Sequence, residues 1–473
     1  MNSNSGPVVR FEESPAEEKQ PLIEDPDQSS HVSGSNEPHK NTIEEPEREE
    51  KLPFISVYSL KSSQKIQSTA QRGFLTFLKG LIGTGILALP YIIQEVGLIP
   101  AWILLAVIGC LNFRTMQLIN EVANDLKIVK VDFGRLSGKV TGREWVRYLT
   151  EINIHIMQLG GALPGLIFTF QYLEKISCFY EWEALCGVKS MQLLVILALV
   201  LPIGAITDLH YLSIPSGIAL IFQIAFYATF LIICGQRIHQ YGLETGSFTA
   251  YNLHYLPIAF ASILYAYEGI GLLLEIRASV ANSREFNKVL TYAFFASTLL
   301  YCLFGTMGKL AFGSNVESVI FLNLNQDNTF IVLLEFGYLF SLIIAIPASA
   351  FPPIRIMESW KIFRVWIMDV ETGKKSKWKR QLIRQPVFLM LVLIAAIAPS
   401  FNVVISLIGG LNFTILCFIL PVILYNIRFK DDPTKQWHRI FNWLILIVGA
   451  ILGSIATVDS FAEIFGSSTE TTR

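Results

Sequence analysis

Long apolar stretches separated by short polar segments run along this chain from about residue 73 to residue 459. No Asp, Glu, Lys or Arg occurs from 209 to 236, from 245 to 267 or from 385 to 427. A helix needs about 20 mostly apolar residues to cross a bilayer, and the last run would be over ~60 Å long as one helix. The pattern predicts an all-α polytopic membrane protein with eleven spans, at 73–94, 98–124, 144–174, 190–207, 212–236, 253–277, 287–311, 329–354, 381–399, 402–427 and 439–459.

Two of these spans carry clustered glycines near their middle. The first contains 77–90 (FLKGLIGTGILALP) and the second contains 260–275 (FASILYAYEGIGLLLE). Interrupted apolar helices at matching positions of two halves point to a transporter binding site, because unwound backbone at membrane depth is tolerated only inside protein or beside a cavity. Close helix packing is the alternative reading of such glycines.

Composition agrees with a membrane protein and separates off the N-terminal segment. The chain has 52% hydrophobic and 16% charged residues, whereas soluble domains carry about 25% charged residues. The first 68 residues hold 13 acidic residues, 7 basic residues and 7 prolines, which predicts a disordered acidic tail over 1–68 before a transporter domain over 69–460. No cleavable signal sequence is expected at the start.

Basic residues between the predicted spans set the orientation. If the N-terminal tail is cytosolic, the cytosolic loops hold 21 Lys and Arg residues and the opposite side holds four, as the positive-inside rule requires. The two glycine-broken spans are then the first helices of two five-helix units in opposite orientation. The sequence therefore predicts an inverted repeat over 73–236 and 253–427, an added helix over 439–459 and a short non-cytosolic tail over 461–473.

Two of the six cysteines lie together in a short polar loop. Cys178 and Cys186 can pair with each other if that loop faces an oxidising lumen, and the sequence leaves the pairing open. No Cys/His spacing indicates a metal site.

Several motifs carry a resemblance to a known family. They are 78–90 (LKGLIGTGILALP), 267–272 (YEGIGL), 311–315 (AFGSN) with 322–324 (LNL), and 351–358 (FPPIRIME). In this order and spacing the chain resembles the amino acid/auxin permease family over about 70–430, and most of all its proton-coupled lysosomal and yeast vacuolar branches. The resemblance implies the fold of a bacterial leucine transporter (LeuT) with helices 1 and 6 broken, and secondary active transport of amino acids.

The sequence departs from that family in two places. Thr76 stands where proton-coupled animal members have a histidine, and Glu275, followed by Arg277, stands where the family usually has proline. The residues that couple transport to protons in those members are therefore not all assigned to this chain, although the proton remains the expected coupling ion. No cofactor is expected.

An amino acid offers a carboxylate, an ammonium group and a side chain. Free backbone N–H groups at the first break suit the carboxylate, and freed carbonyls at the second break suit the ammonium group. Small apolar side chains are inferred from the Gly- and Ala-rich surroundings. The predicted substrate-binding residues are Gly83, Thr84, Gly85, Tyr265, Ala266, Tyr267 and Gly269. For both tyrosines, aromatic packing is an equally good interpretation.

Glu268 is the candidate for proton coupling because it lies in the middle of the second broken segment. A fixed structural role as a hydrogen-bond acceptor is the alternative. Weaker candidates are Thr76, His155, Ser341 and Asn412. Sodium is disfavoured, because 339–347 offers only the Ser341 hydroxyl for a site between spans 1 and 8.

The N-terminal tail contains a candidate sorting signal. Glu18 precedes the pair Leu22 and Ile23 by four positions, as in acidic dileucine motifs read by cytosolic sorting adaptors. With the family resemblance, this favours a lysosomal, vacuolar or other endomembrane location, with the plasma membrane as the alternative.

The sequence therefore predicts a secondary active transporter of amino acids that is embedded in a lipid bilayer. The alternative is an amino acid sensor (transceptor) that binds the same solute with little or no net flux. An enzyme is not expected, since no nucleophile motif or paired catalytic carboxylates occur, and a channel would need charged pore rings. Nothing indicates binding to nucleic acid.

Overall fold

The computed structural model describes residues 70–128, 131–206, 209–243, 252–280, 283–368, 376–398 and 400–470. The described chain is helical, and its helices are α1 (Ala70–Leu81), α2 (Leu89–Val96), α3 (Leu98–Asp125), α4 (Phe133–Thr141), α5 (Glu144–Phe179), α6 (Lys189–Gly204), α7 (Ser213–Tyr241), α8 (Leu256–Ala266), α9 (Ile270–Ser279), α10 (Ser283–Phe312), α11 (Thr329–Ser359), α12 (Lys361–Ile367), α13 (Lys377–Ile397), α14 (Phe401–Ile408), α15 (Leu420–Arg428) and α16 (Gln436–Glu470).

Each predicted apolar segment overlaps one or two of these helices. Within the described residues, nine helices are long and apolar enough to cross a membrane, and a tenth span results if the bent pair of α1 and α2 counts as one. The fourth predicted span, 190–207, coincides with α6, a shorter apolar helix of 16 residues. The predicted multi-pass helical architecture is thus confirmed, with nine or ten candidate spans among the described residues.

Some helices continue past their predicted ends. The last helix was predicted over 439–459, whereas α16 runs over Gln436–Glu470 and includes most of the segment expected to be a tail. Helix α5 extends to Phe179. The apolar pattern marks only the part of a helix that suits the bilayer, and backbone hydrogen bonding carries the helix further into polar surroundings.

The long apolar run over 385–427 is two helices, as predicted. Helix α13 ends at Ile397 and α14 begins at Phe401, and the hydroxyl of Ser400 caps α14 by accepting a hydrogen bond from the Val403 N–H at 3.3 Å. Between α14 and α15 the chain forms a π-helix over Gly409–Ile419, which the sequence pattern did not indicate.

The two ends of the bundle differ in chemistry. At one end, Cys178 and Cys186 form a disulfide in the α5–α6 loop, and this end is called the disulfide face below. At the opposite end, Glu358 of α11 forms ion pairs with Arg384 at 2.8 Å and Arg380 at 3.0 Å, both on α13. Glu358 and Arg384 are each only 1% exposed, so a buried charge cluster joins α11 and α13 at this end.

The most enclosed helices lie in the centre. In the span that contains the π-helix, Phe401–Arg428, 78% of the most apolar stretch is buried, and 67% is buried in Leu256–Ala278, which contains α8 and α9. The corresponding share is 28% for α7 and for α16. The second glycine-broken segment is therefore surrounded by protein.

Candidate functional site

The first broken segment changes direction at Ile82 and Gly83. Helix α1 ends at Leu81, Gly83 is extended with φ −96° and ψ −158°, and a 3₁₀ turn over Thr84–Ala88 leads into α2. The helix axis bends by 44° between Gly73–Leu81 and Thr84–Val96. The first N–H groups of a helical segment have no acceptor within it, so the break leaves donors at Thr84 and Gly85 in the interior.

The second broken segment is interrupted at Tyr267, Glu268 and Gly269. Helix α8 ends at Ala266 and α9 starts at Ile270. The Glu268 N–H donates to the Tyr265 carbonyl at 3.1 Å, which closes a tight turn instead of continuing the helix. Both breaks predicted from the glycines are thus present.

The two breaks touch backbone to backbone at Gly85 and Ala266. A Cβ atom on Gly85 would lie 2.6 Å from the Ala266 Cα and 3.1 Å from its nitrogen, so any side chain at 85 would displace the second break. Gly83 is different, because nothing lies within 4 Å of the position that its Cβ would take. Close packing therefore explains Gly85, and an open space explains Gly83.

The other glycines of the two segments serve packing. A Cβ on Gly80 would meet the side chain of Leu272, and one on Gly271 would meet Met157. Gly269, predicted to bind substrate, is packed against Leu81 and Met116.

One hydroxyl joins the loose ends of both broken helices. The Tyr301 hydroxyl of α10 lies 2.5 Å from the carbonyl oxygen of Leu81 and 2.7 Å from that of Ala266. Leu81 is the last residue of α1 and Ala266 the last of α8. Tyr301 is fully buried and has one proton to donate, so it serves the two carbonyls alternately or as a shared bond.

Two amide side chains satisfy further carbonyls at the breaks. Asn112 of α3 donates to the Tyr267 carbonyl at 2.9 Å, and Gln223 of α7 donates to the Ile82 carbonyl at 3.2 Å. Asn112, Gln223 and Tyr301 were not among the residues predicted from the sequence. In the sequence, each of them is only a polar side chain inside a predicted apolar span. Its role at a break can be assigned only when the carbonyl that it bonds to is known.

The two predicted tyrosines have different surroundings. The Tyr265 hydroxyl lies 3.0 Å from the Thr84 hydroxyl and 3.5 Å from the Gly161 carbonyl, so it faces the first break. Tyr267 points away, donating towards the Thr298 hydroxyl at 2.9 Å and stacking on Phe294 with ring centroids 5.1 Å apart. Packing is therefore the role of the Tyr267 side chain.

Glu268 is half-buried although its chain neighbours Tyr267 and Gly269 are buried. Both of its carboxylate oxygens would lie 3.9 Å from a Cβ on Gly161, which places the group against α5. Among the described residues its side chain has no hydrogen bond or ion pair. An ionised carboxylate at the bilayer centre costs about 2.5–3.5 kcal/mol or more when unpaired, so this group is suited to binding a proton or the ammonium group of a solute.

The weaker candidates are mostly held by neighbouring helices. Asn412 of the π-helix donates to Asn153 of α5 at 3.3 Å. Ser341 bonds to the Ala219 carbonyl of α7. The His155 Nδ1 atom lies 2.5 Å from the Glu151 carbonyl, while its buried Nε2 atom lacks a partner in the described residues.

Four predicted positions cannot be placed in this geometry. The side chain of Thr76 and the sorting-signal residues Glu18, Leu22 and Ile23 lie outside the described part, as does the whole predicted tail over 1–68.

The chain is similar to proteins of one family. Residues 66–462 match the family model described as "Transmembrane amino acid transporter protein". The chain is 28% identical over 429 residues to Vacuolar amino acid transporter 4 of Saccharomyces cerevisiae, covering 85% of this chain but only 59% of that protein. It is 24% identical to Amino acid transporter ANT1 of Arabidopsis thaliana, covering 87% and 97%.

A solved structure shares the fold. The crystal structure of MhsT in complex with L-phenylalanine covers 83% of this chain, and 99% of its own chain is matched, with a TM-score of 0.50 and 12% sequence identity. This likeness supports a LeuT-type arrangement of the helices.

Proposed function

Since the chain belongs to the transmembrane amino acid transporter family, which is a family of transporters and not of enzymes, we propose that it moves amino acids by alternating access, driven by protons. The observation that carries the proposal is the meeting of two broken helices in the protein interior. Gly85 lies against Ala266, and Gly83 beside it faces open space.

The substrate is placed between the breaks by its two charged groups. Its carboxylate takes the N–H groups of Thr84 and Gly85, where the helix dipole is positive. It lies beside Gly83, whose own N–H donates to the Leu81 carbonyl at 3.0 Å. Its ammonium group takes acceptors at the second break, where the carbonyls of Ala266 and Tyr267 each keep one lone pair beside their protein donors. The carboxylate then supplies an acceptor that the first break lacks, and the ammonium group uses the second lone pair of each carbonyl at the second break.

Small neutral amino acids are the proposed substrates. Gly85, two positions after Gly83, lies against the Ala266 backbone, and the Tyr265 hydroxyl already occupies the space towards Gly161. Phe413 of the π-helix packs edge-on against the Tyr265 ring, with centroids 5.6 Å apart. A large side chain would have to displace this aromatic pair.

Eleven spans and an inverted repeat form part of the proposal. Counting α6 as a short span and the α1–α2 and α8–α9 pairs as one span each gives eleven. The LeuT-type likeness supports the arrangement of these helices. The disulfide supports a non-cytosolic position for the disulfide face, because disulfides persist in oxidising compartments. That position agrees with the charge asymmetry and with a cytosolic N-terminus.

Proton coupling is assigned to Glu268, because its carboxyl group borders both the break and α5. The vacuolar names of several relatives favour an acidic organelle, in which a proton gradient is available. Sodium coupling stays disfavoured in this proposal, because 339–347 offers only the Ser341 hydroxyl for a site between spans 1 and 8.

Counterflow by the purified full chain in proteoliposomes tests the proposal. Vesicles loaded with one unlabelled amino acid at a time should accumulate the same labelled amino acid, with small neutral solutes fastest. A pH gradient should drive uptake without internal substrate. Binding of amino acids without counterflow for any of the twenty would overturn transport in favour of the sensor alternative.

A further inference from the structure

Besides Glu268 at the break and the ion-paired Glu358, another carboxyl group lies in the interior, on the side of the breaks that leads to the disulfide face. Glu335 of α11 has no exposed surface. Its Oε2 atom accepts a hydrogen bond from the Tyr172 hydroxyl at 3.1 Å, and its Oε1 atom accepts one from the Gln326 side chain at 3.3 Å. The two donors come from α5 and from the loop between α10 and α11, so the carboxyl group joins three segments.

Lys175, the cation nearest to Glu335, bonds to other groups. Lys175 lies one turn beyond Tyr172 on α5 and acts electrostatically on Glu335, but the two do not form an ion pair within 4 Å. The Lys175 ammonium group instead donates to the carbonyls of Leu324 at 2.7 Å and Phe321 at 3.1 Å. It therefore holds the α10–α11 loop against α5.

That loop carries part of an aromatic plug, defined here as Phe168, Phe226, Phe321 and Tyr338. Phe321 stacks on Phe226 with centroids 3.8 Å apart and packs edge-on against Phe168 at 4.8 Å. All four rings are buried. Along α5, Phe168 lies about 10 Å beyond Gly161, in the direction of Cys178, so the plug lies between the breaks and the disulfide face.

Hydrogen bonds connect the plug to the first break. The Tyr338 hydroxyl lies 3.3 Å from that of Tyr227, and Gln223 donates to Tyr227 at 3.0 Å as well as to the Ile82 carbonyl. Tyr338 follows Glu335 by one turn of α11. Tyr172, which donates to Glu335, also stacks on Phe168, and Phe168 packs edge-on against Tyr338. A change at Glu335 therefore has a route of contacts to the break.

We propose that Glu335 is a proton-binding residue of the transport reaction, and that its protonation keeps the aromatic plug closed towards the disulfide face. The proposal rests on the proposed transport function. A proton from the compartment on that side adds to the carboxylate and gives a neutral acid, which bonds to Tyr172 and Gln326 and leaves Lys175 on the loop carbonyls.

Loss of that proton opens the plug. A buried carboxylate without a counter-ion is unstable, and the Lys175 ammonium group, one turn away, is the cation that can neutralise it. When Lys175 turns to the carboxylate, the carbonyls of Phe321 and Leu324 lose their donor. The loop and its ring are then released.

The ionisable groups around Glu335 favour this assignment. Tyr172 and Lys175 face it from α5. Glu317 of the loop is exposed and acts on Lys175. Tyr338 on α11 and Tyr227 on α7 are the remaining ionisable neighbours and bond to each other. Protonation of Glu335 thus competes with no second carboxyl group among the described residues in contact with it.

Hydrogen exchange of the reconstituted full chain at two pH values tests the inference independently of transport. After correction for the intrinsic pH dependence of exchange, amides of 316–328 should be protected at low pH and at least about tenfold less protected one to two pH units higher. Glu335→Gln, which mimics the neutral acid, should keep the loop protected at both values and flatten the pH profile of uptake. The exposed Asp327→Asn in the same loop is the matched control and should follow the wild type.

Lys175→Met tests the contact between Lys175 and the loop without altering Glu335. It removes the donor to both carbonyls, so the loop should lose protection at every pH, whether or not the Glu335 variant folds. Loop protection in Glu335→Gln that still varies with pH as in the wild type would overturn the inference. If the wild type shows the pH-dependent exchange but moves no amino acid, the role of Glu335 in holding the loop remains valid and only the proposed transport function is overturned.

Discussion

The hydroxyl of Thr84 lies 3.0 Å from the hydroxyl of Tyr265, although 181 positions separate them in the chain. Thr84 begins the helical segment after the first break, and Tyr265 lies in the last turn before the second. The two breaks therefore form one structural unit, in which a change at either side alters the other.

Gly85→Ala should destabilise the protein and abolish transport. The added methyl group overlaps the Ala266 backbone, which cannot rotate away, and overpacking of this kind costs about 1–3 kcal/mol. Thermal unfolding in detergent measures the stability, and counterflow measures the activity.

Gly83→Ala is the matched control for that substitution. Its backbone is extended and its surroundings are open, so the unfolding temperature should stay at the wild-type value. Substrate affinity should fall by about tenfold, which corresponds to about 1.4 kcal/mol, because the methyl group enters the space assigned to the solute. Equal destabilisation by both substitutions would refute the distinction between the two glycines.

Tyr301→Phe should uncouple the two broken helices while preserving the shape of the core. It leaves the buried carbonyls of Leu81 and Ala266 without their shared donor, at a cost of about 1–3 kcal/mol. We expect a lower unfolding temperature and slower counterflow. Tyr292→Phe, on the same helix but exposed, should change neither quantity.

Glu268→Gln should flatten the dependence of uptake on pH. The amide keeps the size of the carboxyl group but binds no proton, so uptake should no longer respond to a pH gradient, whereas exchange of one amino acid for another should persist at a reduced rate. The exposed Glu183→Gln provides the comparison. An unaltered pH profile in the Glu268 variant would remove Glu268 from the coupling step.

Replacing Leu22 and Ile23 together by alanine should move the protein to the cell surface. The pair follows Glu18 at the spacing that sorting adaptors recognise, and its removal leaves the membrane domain untouched. Surface biotinylation of cells that express the tagged full chain measures the shift. If the variant keeps the wild-type distribution, the tail does not direct sorting through this motif.

Glu358→Gln should destabilise the bundle strongly. It leaves the guanidinium of Arg384 buried without its anion, and breaking a buried pair costs about 3–5 kcal/mol. Asp125→Asn removes a pair with Arg428 in which both side chains are about 40% exposed, and exposed pairs contribute about 0–1 kcal/mol. Denaturation of both variants should give a clear difference, and similar losses would contradict the role of burial.

The positions of the helices and of their breaks follow from local features of the sequence. Apolar runs fixed the helices, since the bilayer demands a fixed length of apolar chain. The glycines at 83, 85 and 269 marked where the helices break, because a residue without a Cβ lets backbone leave the helix or approach other backbone. The turn at Ser400 followed from the length of the run over 385–427.

Tertiary structure alone decided what the broken ends contact. Gly83 and Gly85 look alike in the sequence, but one faces open space and the other faces Ala266. Tyr265 and Tyr267 are two residues apart, yet one faces the site and the other packs against α10. The partners Tyr301, Asn112 and Glu335 lie on helices distant in the chain. Hydrophobic periodicity indicates that a residue is buried. A hydrogen bond depends in addition on which distant atom lies within about 3 Å, and only the packing of the helices sets that distance.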